Sequence, residues 1–134
     1  MVNFSKGQVD FLKSHEVCRL ATASKDGMPH VTPVIYALDG DALVIAADYG
    51  TKKVANLREN PKASLVMDEY GEGNKGIMIQ GECTILERGT EYLRLLQILF
   101  EKFGYYRKNP WGEGEAPILR IVSEKIVAWG LGKD

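Results

Sequence analysis

The tetrapeptide Gly50-Thr51-Lys52-Lys53 is the stretch of this sequence whose residue types are best suited to chemistry. It ends an apolar run that reads as a strand and opens a segment that reads as a helix. Backbone N–H donors, a hydroxyl and two ammonium groups are therefore gathered at one corner of the chain. The free donors and positive dipole end of a helix start favour an anion, and a phosphate suits such a corner. The same four residues also fit a plain helix start, with Thr51 as cap and both lysines solvated, and by themselves they do not separate the two readings.

Other chemistry-bearing residues carry weaker signals. His30 follows Pro29 at the start of an expected strand and is a candidate for a cofactor or substrate pocket, but it has no sequence partner. Asp68, Glu69, Glu72, Glu113 and Glu115 are expected in loops, without the fixed geometry that an acid–base pair needs, and read as solvated. Tyr105, Tyr106 and Trp111 lie in a Gly-rich stretch and are expected either to close over a bound molecule or to pack at an interface. Cys18 and Cys83 sit in apolar, strand-like segments and read as buried reduced thiols. The two Cys and two His, at positions 18, 83, 15 and 30, show no zinc-like spacing, so no metal is expected.

Composition narrows the function classes. The 134 residues suffice for one hydrophobic core, so a single domain over residues 1–134 is expected. Lys plus Arg total 17 against 18 Asp plus Glu, which leaves no electrostatic footprint for nucleic acid. No apolar run approaches the roughly 18 residues of a membrane span, and residues 1–10 do not resemble a signal peptide. A cytoplasmic protein is the expectation. No G-x-G-x-x-G follows a strand, no Walker loop is present, and strands do not alternate with helices, so a nucleotide cofactor must be held in another way.

Several elements must position these residues. Ser5-Lys6-Gly7-Gln8 fits a capping box for a helix from about Lys6 to His15. Val17 to Ser24, His30 to Leu38 and Ala42 to Ala47 read as three consecutive strands of a local meander, turned at Lys25-Asp26-Gly27 and Asp39-Gly40. A helix opened by Thr51 turns Val54 and Leu57 inward and stops at Asn60-Pro61. Lys62 to Met67 and Ile77 to Leu86 read as strands around a Gly-rich connection, Tyr70 to Gly76, expected to be mobile. Thr90 to Phe103 has Leu93, Leu96, Ile98, Leu99 and Phe103 at near-helical spacing, with Gly104 as a C′ residue. Gly104 to Pro117 reads as a loop over something, and Ile118 to Val122 and Lys125 to Trp129 as two closing strands. Six or seven strands and three helices predict a mainly β (α+β) antiparallel barrel, Greek-key type, with three peripheral helices.

In this order FLKSHEVCRLATASKDGMPHVTPVIY, ALVIAADYGTKKVANLRENPKASLV, GIMIQGECTIL and the closing KIVAWG resemble the split-barrel flavoproteins of the pyridoxine 5′-phosphate oxidase type, over nearly the whole chain. The resemblance implies a homodimer that binds FMN in a cleft between its subunits. It places Thr32, Pro33, Val34, Ala46 and Ala47 along the flavin. Thr51, Lys52 and Lys53 fall at the phosphate, and Trp129 beside the ring system. It also shows departures: Thr32 stands where the oxidases have a phosphate-binding Arg, and Gly76 where they have a flavin-contacting Gln. Gln80 is expected to replace part of that polar contact or to face solvent. The sequence ends five residues after Trp129, before the oxidases' pyridoxine phosphate segment, which argues against vitamin B6 as substrate. The implied activity is an FMN-dependent oxidoreductase passing electrons from NADH or NADPH to a small acceptor. Alternatives are a reductase using the deazaflavin F420, a flavin carrier or electron-transfer module without a substrate pocket, and a barrel whose flavin site has decayed.

Overall fold

Ser5 and Gln8 form the reciprocal pair that their spacing predicts, Gln8 N–H donating to Ser5 Oγ at 3.2 Å and Ser5 N–H to Gln8 Oε1 at 3.0 Å. The computed structural model describes residues 2–132. Helix α1 is Lys6–Lys13, two residues shorter than its pattern suggests. Phe11 C=O, which the next turn would need, instead accepts from Ser14 Oγ at 2.7 Å and lies 2.8 Å from His15 Nδ1.

Seven strands follow: β1 Val17–Ala23, β2 Pro29–Ile35, β3 Ala37–Asp39, β4 Ala42–Ala46, β5 Lys62–Glu69, β6 Lys75–Leu86 and β7 Ile118–Trp129. They make one antiparallel sheet in the order β2-β1-β5-β6-β7-β4-β3. The expected single strand from His30 to Leu38 is broken at Tyr36, so its first half pairs with β1 and its second with β4. This corrects the local meander: its two hairpins lie at opposite ends of the sheet order. Because those ends are joined through Tyr36 alone, the sheet must curl on itself, which gives the split barrel. Tyr36 is fully buried and donates its hydroxyl to Leu12 C=O at 2.7 Å, fixing the break against α1. Pro29 and Pro33 stand on β2, an edge strand, where a missing N–H is tolerated.

Glu69 already pairs with Lys75, so the Gly-rich connection between β5 and β6 is shorter than expected. The two expected closing strands are one, β7. Gln80 pairs with Lys125 and Gly81 with Ser123, which leaves Glu124 as an extra residue in a bulge. Gly81 is required there, because a Cβ would collide with the Val122 carbonyl.

The chain has two apolar cores. The barrel interior holds Leu20, Leu43, Ile45, Leu65, Ile79 and Ile121, closed by Leu12 of α1 and by Val54 and Leu57 of α2, Lys52–Glu59. Cys18 and Cys83 lie in it unpaired, and burial pushes both thiols up to about 12. The second core lies on the outer face of β3, β4 and the start of β7, under α3, Thr90–Lys102. Its helix face is Tyr92, Leu95, Leu96 and Leu99; Leu93, expected inside, is 47% exposed. Two tethers hold α3, Arg94 donating to both Asp39 carboxylate oxygens at 2.8 Å and Lys102 Nζ to His15 C=O at 2.7 Å, while Arg120 Nε of β7 donates to the same Asp39 carboxylate at 2.9 Å. Gly104 is not a left-handed terminator; the chain passes directly into a 3-10 turn, Gly104–Arg107. Elsewhere the outer face, across β2, β1, β5, β6 and the end of β7, is solvent-facing and carries Val17, Val31 and Val127 exposed.

Candidate functional site

The β4–α2 corner is formed by Gly50, whose φ of +82° turns the chain, and by Thr51 at the helix N-cap position. The Thr51 hydroxyl does not cap the helix. It donates to Asp48 C=O at 2.8 Å, so the first-turn N–H groups of α2 receive no acceptor from it. Lys52 is exposed and Lys53 half-buried, and neither is in an ion pair among the described residues. Open donors plus two uncommitted ammonium groups fit a phosphate. Arg58, the next cation along, is engaged by Glu87 at 3.2 Å, which also accepts from Tyr49 Oη at 2.9 Å.

On β2 the residues alternate, His30, Thr32 and Val34 half-buried and Val31 and Pro33 exposed. His30 stands opposite Thr22, whose Oγ1 accepts from the buried Asn56 Nδ2 at 3.1 Å and so ties α2 to β1. Thr32 Oγ1 and His30 Nδ1 are buried without a hydrogen-bond partner among the described residues. An unpaired buried polar atom costs roughly 1–3 kcal/mol, so two on one strand face mark a place where a ligand can supply the missing partners.

Gly76, Gln80 and Trp129 lie on the opposite, outer face of β6 and β7. Gly76 pairs with Trp129, whose indole covers it and donates Nε1–H to Asn74 Oδ1 at 3.0 Å. Gln80 is exposed in an open groove of about 660 Å³ shared with Ala21, Ser64 and Lys125. Ala46 and Ala47 instead border a second pocket of about 390 Å³, whose other wall is Tyr105, Tyr106 and Trp111. Within one protomer the residues singled out in the sequence thus occupy three places: the β4–α2 corner with its pocket; β2, with Thr32 and Val34 on its inner side and Pro33 on its outer side; and the outer face of β6 and β7.

The acidic residues are surface partners rather than a catalytic pair. Asp68 accepts from Arg19 at 2.7 Å, and Glu69 meets His15 Nε2 at 2.7 Å and Lys75 at 3.6 Å. Both belong to β5, not to a loop. No cluster of three or more His, Cys, Asp or Glu could hold a metal among the described residues. Sequence reasoning missed Asn56 and Asp48. Asn56 carried a signal, a polar residue between Val54 and Leu57 on the buried helix face, whereas Asp48 had none.

Residues 4–129 match the sequence model of the pyridoxamine 5′-phosphate oxidase family. A 5a,11a-dehydrotetracycline/5a,11a-dehydrooxytetracycline reductase of Streptomyces rimosus is 24% identical, the match covering 98% of this chain and 86% of that protein. Among solved structures, an FAD-binding protein of Mesorhizobium loti superposes with a TM-score of 0.74 at 25% identity, over 95% of this chain and 93% of the other. HutZ, a heme storage protein of Vibrio cholerae, gives 0.78 at 17% identity, over 91% and 92%. The family model spans all seven strands, and with the sheet order found here it shows that the chain belongs to the pyridoxamine 5′-phosphate oxidase family.

Proposed function

We propose that this protein is a flavin-dependent oxidoreductase that binds FMN between the subunits of a homodimer and passes electrons from NADH or NADPH to a small acceptor. The observation that carries the reading is the β4–α2 corner, an uncapped helix start with two unpaired lysines. There Lys52, Lys53 and the first-turn N–H groups would hold the terminal phosphate, Thr51 setting the turn. Thr32 would use its unpaired hydroxyl on the cofactor, with Pro33 and Val34 beside it on the same strand, while Ala46 and Ala47 would stand between the cofactor and the pocket they border without filling that pocket. Gln80 and Trp129, with Gly76 beneath it, would border the cofactor from the outer sheet face. When bound, the flavin supplies the redox chemistry, and the protein needs to contribute only binding, orientation and electrostatics. The reductase of S. rimosus and the FAD-binding protein of M. loti support both halves of this reading.

FMN is preferred to F420 because the oligoglutamate tail of F420 needs further cations, and Arg58 is committed to Glu87. Haem needs an axial ligand. His15 has both ring nitrogens engaged and both thiols are buried and held protonated, which leaves His30, whose Nδ1 is buried, as the histidine available to it, so haem, as in HutZ, is the second candidate after flavin. The uncovered outer face supports a dimer, which would bury Val17, Val31 and Val127. No helix among the described residues is long and apolar enough to cross a membrane, and two unpaired cysteines suit a reducing compartment, so we place the protein in the cytoplasm.

The absorption spectrum of the purified protein, before and after heat release of bound ligand, tests the reading. A released yellow compound with the oxidised flavin bands supports it. A band at the shorter wavelength of F420, an intense haem band, or no ligand and no uptake of added FMN would overturn it.

A further inference from the structure

The pocket at the end of β4 is built more firmly than a surface loop requires. Its aromatic wall is a set of edge-on contacts, Trp111 with Tyr106 at 4.6 Å and with Phe100 at 5.1 Å between ring centroids. Trp111 Nε1 donates to Tyr92 Oη at 3.1 Å, and that buried hydroxyl donates onward to Ala116 C=O at 2.6 Å. Gly114 N–H reaches Glu87 C=O at 3.0 Å, and Glu113 accepts from Gly89 N–H at 2.7 Å. Through these bonds the segment from Trp111 to Ala116 is pinned to α3 and the chain just before it. The pocket is therefore preformed, and the stretch expected to lie over something is instead a fixed wall.

Its chemistry is selective. Beside the rings the lining consists of the small side chains of Ala46, Ala47 and Ala116 with Asp48 and Asn109, which leaves a space of about 390 Å³, within the range of small-molecule sites. Tyr105, 52% exposed, offers a further ring at the mouth. Asp48 is the one charged side chain in the lining, so the rim repels anions. Burial first, then the Tyr105 hydroxyl and the charge of Asp48, raise the Tyr106 phenol above its ordinary range, so it remains a hydrogen-bond donor, as does the Asn109 amide.

We infer that this pocket binds a flat, uncharged ring compound carrying carbonyl oxygens, stacked against Tyr105, Tyr106 and Trp111 and selected against anionic analogues by Asp48. That this compound is the acceptor substrate rests on the oxidoreductase reading above; that the pocket takes such a ring does not.

Menadione, a neutral naphthoquinone, and 1,4-naphthoquinone-2-sulfonate, its anionic analogue, are suitable probes. Each is titrated into the protein as purified, and again with FMN added, while tryptophan emission is followed. The expected result is saturable quenching by menadione, weakened about two- to tenfold in Tyr105→Ala by loss of one ring contact. The sulfonate should bind on the order of fivefold or more weakly, and Asp48→Asn should narrow that gap. Quenching that rises without saturation, or that ignores both substitutions, overturns the inference. If menadione saturates while FMN never binds, the pocket stands and the flavin reading fails. If FMN binds and menadione does not saturate, the reverse holds.

Discussion

The indole of Trp129 lies across Gly76, its Cε2 atom 2.8 Å from where a Cβ at position 76 would sit, with Asp68 Cβ at 3.0 Å on the other side. The space that a side chain at position 76 would need is therefore occupied by a tryptophan ring. No side chain fits at 76 unless the ring leaves. Gly76→Gln should expel the indole, break its bond to Asn74 and destabilise the fold by about 1–3 kcal/mol, as overpacking does. Urea unfolding followed by tryptophan emission checks both effects, since the freed indole should also emit further to the red.

Asp39 links α3 to β3 and β7 and gives a pH prediction. The Arg94 guanidinium, with Arg120 behind it, holds the Asp39 carboxyl at about 2 against an ordinary 3.8, although partial burial opposes the shift. The folded pKa lies below the unfolded one, so this stabilisation is complete above pH 3.8 and is lost as pH falls through 2. Asp39→Asn should therefore be less stable than the parent near neutrality, and the gap should close between pH 3.8 and 2. Denaturant midpoints of the two proteins across that range measure it.

Lys52→Ala combined with Lys53→Ala should weaken FMN binding by about 2 to 4 kcal/mol, taking roughly 1.5 to 3 for each charged hydrogen bond and allowing for water in part of the space. Riboflavin, without the phosphate, should bind both proteins equally weakly. A flavin-fluorescence titration in which parent and double variant bind FMN alike rejects the phosphate assignment.

The uncovered face of β2, β1, β5 and β6 should close a homodimer of the large obligate kind, above roughly 2,000 Å² in total. A negative charge in place of an exposed apolar side chain on its β2 edge should weaken that association. Val31→Asp, at a side chain 63% exposed in the protomer, should leave the barrel folded but shift sedimentation at micromolar concentration from dimer to monomer. A parent protein that sediments as a monomer would remove the intersubunit cleft.

Local signals in the sequence read well, and long-range ones did not. The capping box of α1, the Asp39-Gly40 hairpin and the stop at Asn60-Pro61 each depend on residues within a few positions, and each is present in the fold. The break at Tyr36 was illegible because nothing around it interrupts the strand pattern. Tyr36 is held by Leu12, 24 positions away, through a contact that exists only after the barrel closes. The single strand β7 was hidden by Ser123-Glu124, a polar pair that reads as a turn and is in fact a bulge accommodated by Gly81. Near-helical spacing includes Leu93 in the apolar stripe of α3, but the helix leaves Leu93 exposed and turns Tyr92 inward to bond the segment ending at Ala116. At the site, the Gly50 to Lys53 stretch was legible as a strand-to-helix corner because its parts are contiguous. The pocket beside it was not, since Asp48 and Trp111 meet only through the fold.

Bound FMN should be reduced by NADH or NADPH slowly and without strong preference between them. No dinucleotide-binding segment is present among the described strands and helices, so nothing in the fold holds the nucleotide firmly or reads its 2′ position. The nucleotide must then enter the same open cleft that the acceptor later uses. Occupancy alternates, and ping-pong kinetics follow. Trp111 is pinned through Tyr92 and borders the pocket, whose lining does not include Lys52 or Lys53 of the β4–α2 corner. Trp111→Ala should accordingly lower turnover of a quinone acceptor more than it weakens FMN. Anaerobic stopped-flow mixing with each nucleotide, followed at the oxidised flavin band, tests the first half-reaction apart from the second. Bleaching by either nucleotide within minutes is the expected outcome. If dithionite bleaches the flavin and neither nucleotide does, the protein takes its electrons elsewhere, and a carrier with no nucleotide half-reaction becomes the better account.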